Sequence, residues 1–268
     1  MLPELRSIRA GGRTLAYREA GEGVPVVLLH GIGSGSASWE GQLAGLGVGY
    51  RVIAWDGPGY GGSDALAGET PVVADYAQAA VDLLDALGLV RVHLVGHSLG
   101  ALIAAAFAAR RADRLLSLTL ANPTRGYAHA DDKVRIDGLA ARIGAIDDLG
   151  PAGMAEARAQ NLLSPDAPPA ALEKVRGVMS GLRPDGFKQA ARMMYSTDIL
   201  ADACSVTVPA MVMCGSADSV TPENIARSIA SVIPGARYHT LDGLGHASYV
   251  ESPETFNAPL RAFFDSVA

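Results

Sequence analysis

One serine in this sequence has the neighbours that a nucleophile needs. Ser98 stands in Gly96-His97-Ser98-Leu99-Gly100, between an apolar run ending at Val95 and the alanine-rich stretch from Ala101 to Arg110. The pattern predicts strand, tight turn and helix, with Gly96 and Gly100 leaving room for a turn that lifts Ser98 clear of a sheet. Backbone N–H groups at the start of such a helix favour negative charge developing beside the serine. A hydroxyl at neutral pH attacks only if a base takes its proton and a third group orients that base. Of the six histidines, His97 adjoins Ser98 and points elsewhere at such a turn, and His93 and His239 fall in strand patterns. His129 falls in a region without strands, and His30 closes an apolar run at Gly31. His246, in Asp242-Gly243-Leu244-Gly245-His246, follows the last strand pattern. It is therefore expected on the carboxyl edge of a parallel sheet, beside Ser98. Asp218 follows the run Val208 to Cys214 onto that edge and is the expected orienting acid. Asp218 also suits capping the helix after it. Asp242 is nearer to His246 in sequence, and Asn122, at the end of the preceding strand, carries no charge.

Attack on a carbonyl creates an oxyanion, which needs preorganised N–H donors. The backbone N–H of Leu99 is one expected donor. The second is expected from His30-Gly31-Ile32-Gly33, with Ile32 first and Gly33 second. A phosphate cradle fits less well, since no Gly-Lys-Ser/Thr and no Gly-x-Gly-x-x-Gly opening a helix is present. Asp56, in Asp56-Gly57-Pro58-Gly59, is expected to bond local backbone N–H groups in a sharp turn, and Trp39 and Trp55 are expected to pack.

The elements that must position these groups alternate. Strands are expected over 5–20 (two, turning at Gly11-Gly12), 24–29, 50–55, 91–95, 115–121, 208–214 and 236–241. A weak helix is expected around Trp39, with longer ones over 72–87 (Gly88 at its C-terminus), 99–110, 222–232 and 253–267. This is an α/β chain with a mostly parallel sheet of about eight strands covered on both faces. Between Asn122 and Cys204 the rhythm breaks into helical patterns punctuated by prolines. That stretch, 123–203, is expected to be an all-helical cap inserted after the sixth strand into a core of 1–122 and 204–268. Its Arg125, Arg135, Arg142, Arg158, Arg176, Arg183 and Arg192 offer guanidinium groups for a substrate carboxylate, and Met154, Met179, Met193, Met194 and Tyr195 offer apolar lining or packing.

With 49% hydrophobic and 19% charged residues over 268 positions, the chain carries ample material for a large core. Its formal net charge of -6 and the absence of a Lys/Arg block argue against nucleic acid or an anionic membrane as a partner. The N-terminus lacks the charged-then-apolar pattern of a signal peptide, and no apolar stretch is long enough to span a bilayer. Cys204 and Cys214 fit a reduced, cytoplasmic setting and have no ligand spacing for a metal.

Four stretches together resemble the α/β-hydrolase superfamily: His30-Gly31 with Trp39 downstream, Asp56-x-Pro58-Gly59-x-Gly61-x-Ser63, Gly96-His97-Ser98-Leu99-Gly100, and Asp218 with Gly245-His246. The resemblance implies a cofactor-free enzyme with Ser98 as nucleophile, His246 as general base then acid, Asp218 as orienter, and Ile32 and Leu99 as oxyanion donors. Substrate contacts are expected from Gly31, Gly33, His97, Arg125 and Ala247. The tail from His246 to Asn257 resembles the 3-oxoadipate enol-lactonase and carboxylesterase groups, which implies a small-molecule ester or lactone as substrate. C–C hydrolases of ring-fission dienoates resemble the chain too, but usually carry tryptophan directly after the catalytic histidine, where Ala247 stands. A perhydrolase and a non-catalytic ligand receptor are further activities that the resemblance allows.

Overall fold

The computed structural model describes residues 1–267. Its strands are β1 (Arg6–Ala10), β2 (Arg13–Ala20), β3 (Val24–Leu29), β4 (Tyr50–Asp56), β5 (Val92–His97), β6 (Leu115–Ala121), β7 (Ala210–Gly215) and β8 (Arg237–Leu241). The helices are α1 (Glu40–Leu46), α2 (Val73–Ala86), α3 (Leu99–Arg110), α4 (Asp132–Arg158), α5 (Pro169–Met179), α6 (Pro184–Tyr195), α7 (Leu200–Ala203), α8 (Glu223–Val232), α9 (Ser248–Glu251) and α10 (Pro253–Asp265). The eight strands form one sheet in the order β1-β2-β4-β3-β5-β6-β7-β8. The β1–β2 and β2–β4 pairs are antiparallel, and every later pair is parallel.

The interior strands look as strands covered on both faces should. All six residues of β5 are buried, and β6 is buried except at Leu116. Helix α3 lies over the centre of the sheet and is buried at ten positions from Leu99 to Ala108. Because it is apolar all round, it has no stripe to show to solvent. Its alanines and Gly100 keep it thin: a Cβ at Gly100 would lie 2.3 Å from Leu29 O. Trp39 and Trp55 are fully packed in the core, as expected.

The sheet order places the site. β3 is flanked by β4 on one side and β5 on the other, so the loops leaving β3 and β5 diverge over a crevice at the switch point. β5, β6, β7 and β8 then lie side by side and in parallel, each delivering its following loop to the same edge.

Between β6 and β7 the chain is helical, with α4 to α7 and a short 3-10 turn at Ala159–Leu162. Helix α4 is broken at Gly150, whose φ is 62°, with Pro151 immediately after it. A positive φ that costs glycine little, followed by a residue without an N–H, explains why two helical segments meet there at an angle. Helix α4 packs on both α5 and α6, α5 touches α9, and α7 packs instead on α3 and α8 beside the sheet. No helix among the described residues is long and apolar enough to cross a membrane.

Candidate active site

Ser98 joins β5 to α3 with φ 53° and ψ -114°. A non-glycine residue in that region is strained by a cost of order 1–3 kcal/mol, so its surroundings must hold it. They do so on both sides: Ser98 N–H donates to Ala121 O at 3.0 Å, and Ser98 O accepts from Ala101 N–H at 3.0 Å. Gly31 lets the loop after β3 come close, since a Cβ there would sit 3.1 Å from Ser98 Cβ and 3.0 Å from His97 Nδ1. The Leu99 and Ile32 backbone N–H groups donate to no other group among the described residues. Ile32 O accepts from Tyr60 Oη at 3.0 Å, which pins the loop from the other side.

His30 steadies the same loop. Gly57 N–H donates to its Nε2 at 2.9 Å, so the proton sits on Nδ1, which is 2.8 Å from Gly31 O. Burial holds the His30 pKa below its ordinary value, and the ring stays neutral. Asp56 accepts from Ser36 N–H, in the loop after β3, at 2.8 Å and from Gly62 N–H of its own turn only at 3.4 Å, so its shorter bond joins two loops and is not the local one that its sequence context implied.

His246 is carried past β8 and sits between the other two groups. Its Nε2 is 3.0 Å from Ser98 Oγ, and its Nδ1 is 2.8 Å from Asp218 Oδ2. An ionised carboxylate only accepts, so Nδ1 carries the proton and the Nε2 lone pair faces the serine hydroxyl. Asp218 does not cap α8. Its Oδ1 accepts from Val220 N–H at 2.8 Å and Thr221 N–H at 2.9 Å, within the loop. Burial alone would raise the Asp218 carboxyl. The hydrogen bond and charge of His246, with donors from Asn122 and Thr221, outweigh that and bring it down to about 2.

His97 does not bond Ser98. Its Nε2–H donates to His246 O at 2.8 Å, tying the serine turn to the histidine loop from behind. Its Nδ1 is buried without a partner among the described residues. Burial first, then the neighbouring His246, push its pKa down to about 3.

Several groups around this centre escaped the sequence reading. Asn122 entered it only as a residue without charge, yet its Nδ2 donates to Asp218 Oδ2 at 2.8 Å and its Oδ1 accepts from Ser248 Oγ at 2.7 Å. Its φ of 44° is one that asparagine tolerates better than most residues. Thr221 Oγ lies 2.8 Å from Asp218 Oδ2 and 3.1 Å from Asn122 O. Glu251 Oε1 accepts from Gly245 N–H at 2.8 Å and Ser164 N–H at 3.1 Å, so one carboxylate joins the histidine loop to the helical segment. Ala247 N–H adds a second tie, to Leu162 O at 2.7 Å. The signal available was position: Asn122 directly follows β6 and Thr221 lies in the loop after β7, on the edge already singled out.

A cavity of about 590 Å³ opens over Ser98 and His246, a size suited to a small molecule. Gly31, Ile32, Gly33, His97, Ala247 and Arg125 all line it. Arg125 does so with its guanidinium forked onto Asp198, Nη2 to Oδ2 at 2.9 Å and Nε to Oδ1 at 3.2 Å. A carboxylate of the chain itself thus occupies two of the Arg125 donors.

Residues 24–167 match the family described as alpha/beta hydrolase fold, and the chain belongs to that family. It is 26% identical to 3-oxoadipate enol-lactonase 1 of Acinetobacter baylyi, over 96% of this chain and 95% of that one. Among solved structures, the enol-lactonase from Burkholderia xenovorans matches with a TM-score of 0.87 and 26% identity, over 97% of this chain and 100% of that one. A malate-bound thermophilic esterase from Thermogutta terrifontis matches with a TM-score of 0.89 and 25% identity, over 98% and 99%. The chain is a hydrolase of the α/β-hydrolase superfamily.

Proposed function

We propose that this hydrolase opens a small-molecule carboxylic ester or enol-lactone through an acyl-enzyme on Ser98. The observation that carries the reading is the position of His246, with one ring nitrogen 3.0 Å from Ser98 Oγ and the other 2.8 Å from Asp218 Oδ2. In the first half-reaction Ser98 Oγ bonds to the carbonyl carbon while His246 Nε2 takes its proton, and Asp218 stabilises the imidazolium. The oxyanion is held by the N–H groups of Leu99 and Ile32. Collapse breaks the bond to the alcohol or enol oxygen, which receives the proton from His246. Water, deprotonated by His246, then releases the acid and restores Ser98. Residues 123–203 act as the cap that shapes the pocket over this centre.

Ser98→Ala is expected to abolish turnover of p-nitrophenyl acetate and labelling by phenylmethylsulfonyl fluoride, with an unchanged far-UV circular dichroism spectrum. Turnover at the wild-type rate in that variant would remove Ser98 as nucleophile. An enol-lactone and a ring-fission dienoate belong in the same substrate panel: preference for the dienoate over every ester would replace this reading with C–C hydrolysis.

A further inference from the structure

The cavity over Ser98 is cationic in a protein that is acidic as a whole. Among the described residues its lining includes Arg125, Arg142 and Arg158 and no aspartate or glutamate, whereas the chain has a net charge of -6. Arg125 is neutralised by Asp198. Other arginines of the helical segment are occupied elsewhere, Arg135 on Asp132, Arg176 on Glu156 and Arg183 on Ser63 O. Arg142 and Arg158 have no carboxylate partner among the described residues.

Arg142 is half-buried, and its Nε is enclosed without a hydrogen-bond partner among the described residues. Its guanidinium lies 6.0 Å from the centre of the Tyr195 ring, and Tyr195 stacks on Tyr127, another lining residue, at 4.2 Å. Tyr195, itself backed by Tyr127, thus faces the arginine's planar head beside the cavity, which lowers the entropy lost when it binds an anion. A partly desolvated cation with unfilled donors is costly until an anion fills them. Arg158 is exposed and lines the same cavity. The wall next to the oxyanion loop differs in character: Met179 Cε would be 3.1 Å from a Cβ at Gly33, and Val175 and Val178 line the cavity from the same helix.

We propose that the substrate carries a carboxylate besides its scissile carbonyl, bound by Arg142 with Arg158 assisting, while its apolar part lies along Met179. The proposal rests on the hydrolase reading for its kinetic test and stands apart from it in its binding test.

The kinetic test compares p-nitrophenyl butyrate with the mono-p-nitrophenyl ester of glutarate, which adds a carboxylate to a similar acyl chain. The wild-type enzyme should favour the glutarate ester in kcat/KM by about tenfold or more. Arg142→Met should cut that ratio by about tenfold, Arg142→Lys by less, and Arg158→Met, an exposed position, by less again. An equal kcat/KM for the two esters in the wild type overturns the proposal. So does a ratio that survives in Arg142→Met or, if that variant does not fold, in both Arg142→Lys and Arg158→Met. If neither ester is turned over, the ester-hydrolysis reading fails, and calorimetry of free glutarate with Ser98→Ala protein decides the anion site alone. Binding that is weakened by adding Arg142→Lys supports the site, and the absence of binding overturns it.

Discussion

Asp218 illustrates how much of the site depends on residues that do no chemistry themselves. Its Oδ2 faces His246, Asn122 and Thr221 together, and its Oδ1 takes two backbone N–H groups. Those donors hold the carboxylate ionised although it is almost fully buried. Asp218→Asn would set an amide NH2 against some of these donors and remove the charge that stabilises a protonated His246. We expect kcat/KM for p-nitrophenyl acetate to fall roughly 10⁴-fold, and a loss below tenfold would argue for a different orienting group. Asn122→Leu removes one charge-assisted hydrogen bond, worth roughly 1.5–3 kcal/mol, from the same oxygen. It should lower kcat/KM by about ten- to a hundredfold. If activity is unchanged, the asparagine is serving the loop's shape and not the carboxylate.

Elements meet in this protein by backbone approaches that a single methyl group would prevent. The start of α3 presses on the end of β3 at Gly100, where an added Cβ would lie 2.3 Å from Leu29 O and 2.8 Å from His30 O. These are backbone atoms of a buried strand end and cannot swing aside. Gly100→Ala should therefore destabilise the fold by about 1–3 kcal/mol, as overpacking does, and move the serine turn away from the loop that carries Ile32. Gly144, in the middle of α4, has nothing within 4 Å of the position a Cβ would take. There the helix propensity of alanine acts alone, and Gly144→Ala should stabilise by up to about 1 kcal/mol. Thermal unfolding of the two variants checks the pair: Tm should fall for the first and rise for the second. A matching rise in both would mean that the elbow has slack which the close contacts deny.

At the scale of the molecule, the sheet was legible because its interior strands are buried on both faces and end in glycine-rich loops. Those strand ends led directly to Ser98, Asp218 and His246. Strand order, and with it the placing of Asn122 beside Asp218, depends on pairings between distant segments and could not be read from the chain. The helical segment hid more. The buried residues of α4 are Ile146, Met154 and Ala155, too few to mark a stripe, and Gly150 redirects the helix partway along. Whether an arginine there is free depends on which acid the fold brings to it, so Arg125 and Arg142 look alike in sequence. The buried histidines have a global consequence of the same non-local origin. Burial holds His30 below the ordinary histidine value, lowers His93 to about 4 and, with His246 nearby, lowers His97 to about 3. In the unfolded chain each takes a proton near 6.5, so between that pH and about 4 the unfolded state binds more protons than the folded one. Their contribution to stability is thus complete above the unfolded value and is lost as pH falls through this window. Each histidine adds at most about 1.4 kcal/mol per pH unit. Asp218 joins only at lower pH, since its folded value of about 2 lies below the ordinary 3.8. Urea unfolding at pH 7.5, 6 and 5 should show the midpoint dropping steadily, and His93→Gln should flatten the slope by up to one proton. A midpoint that stays level from pH 7.5 to 5 would mean that these rings are already protonated, or still solvated, in the folded protein.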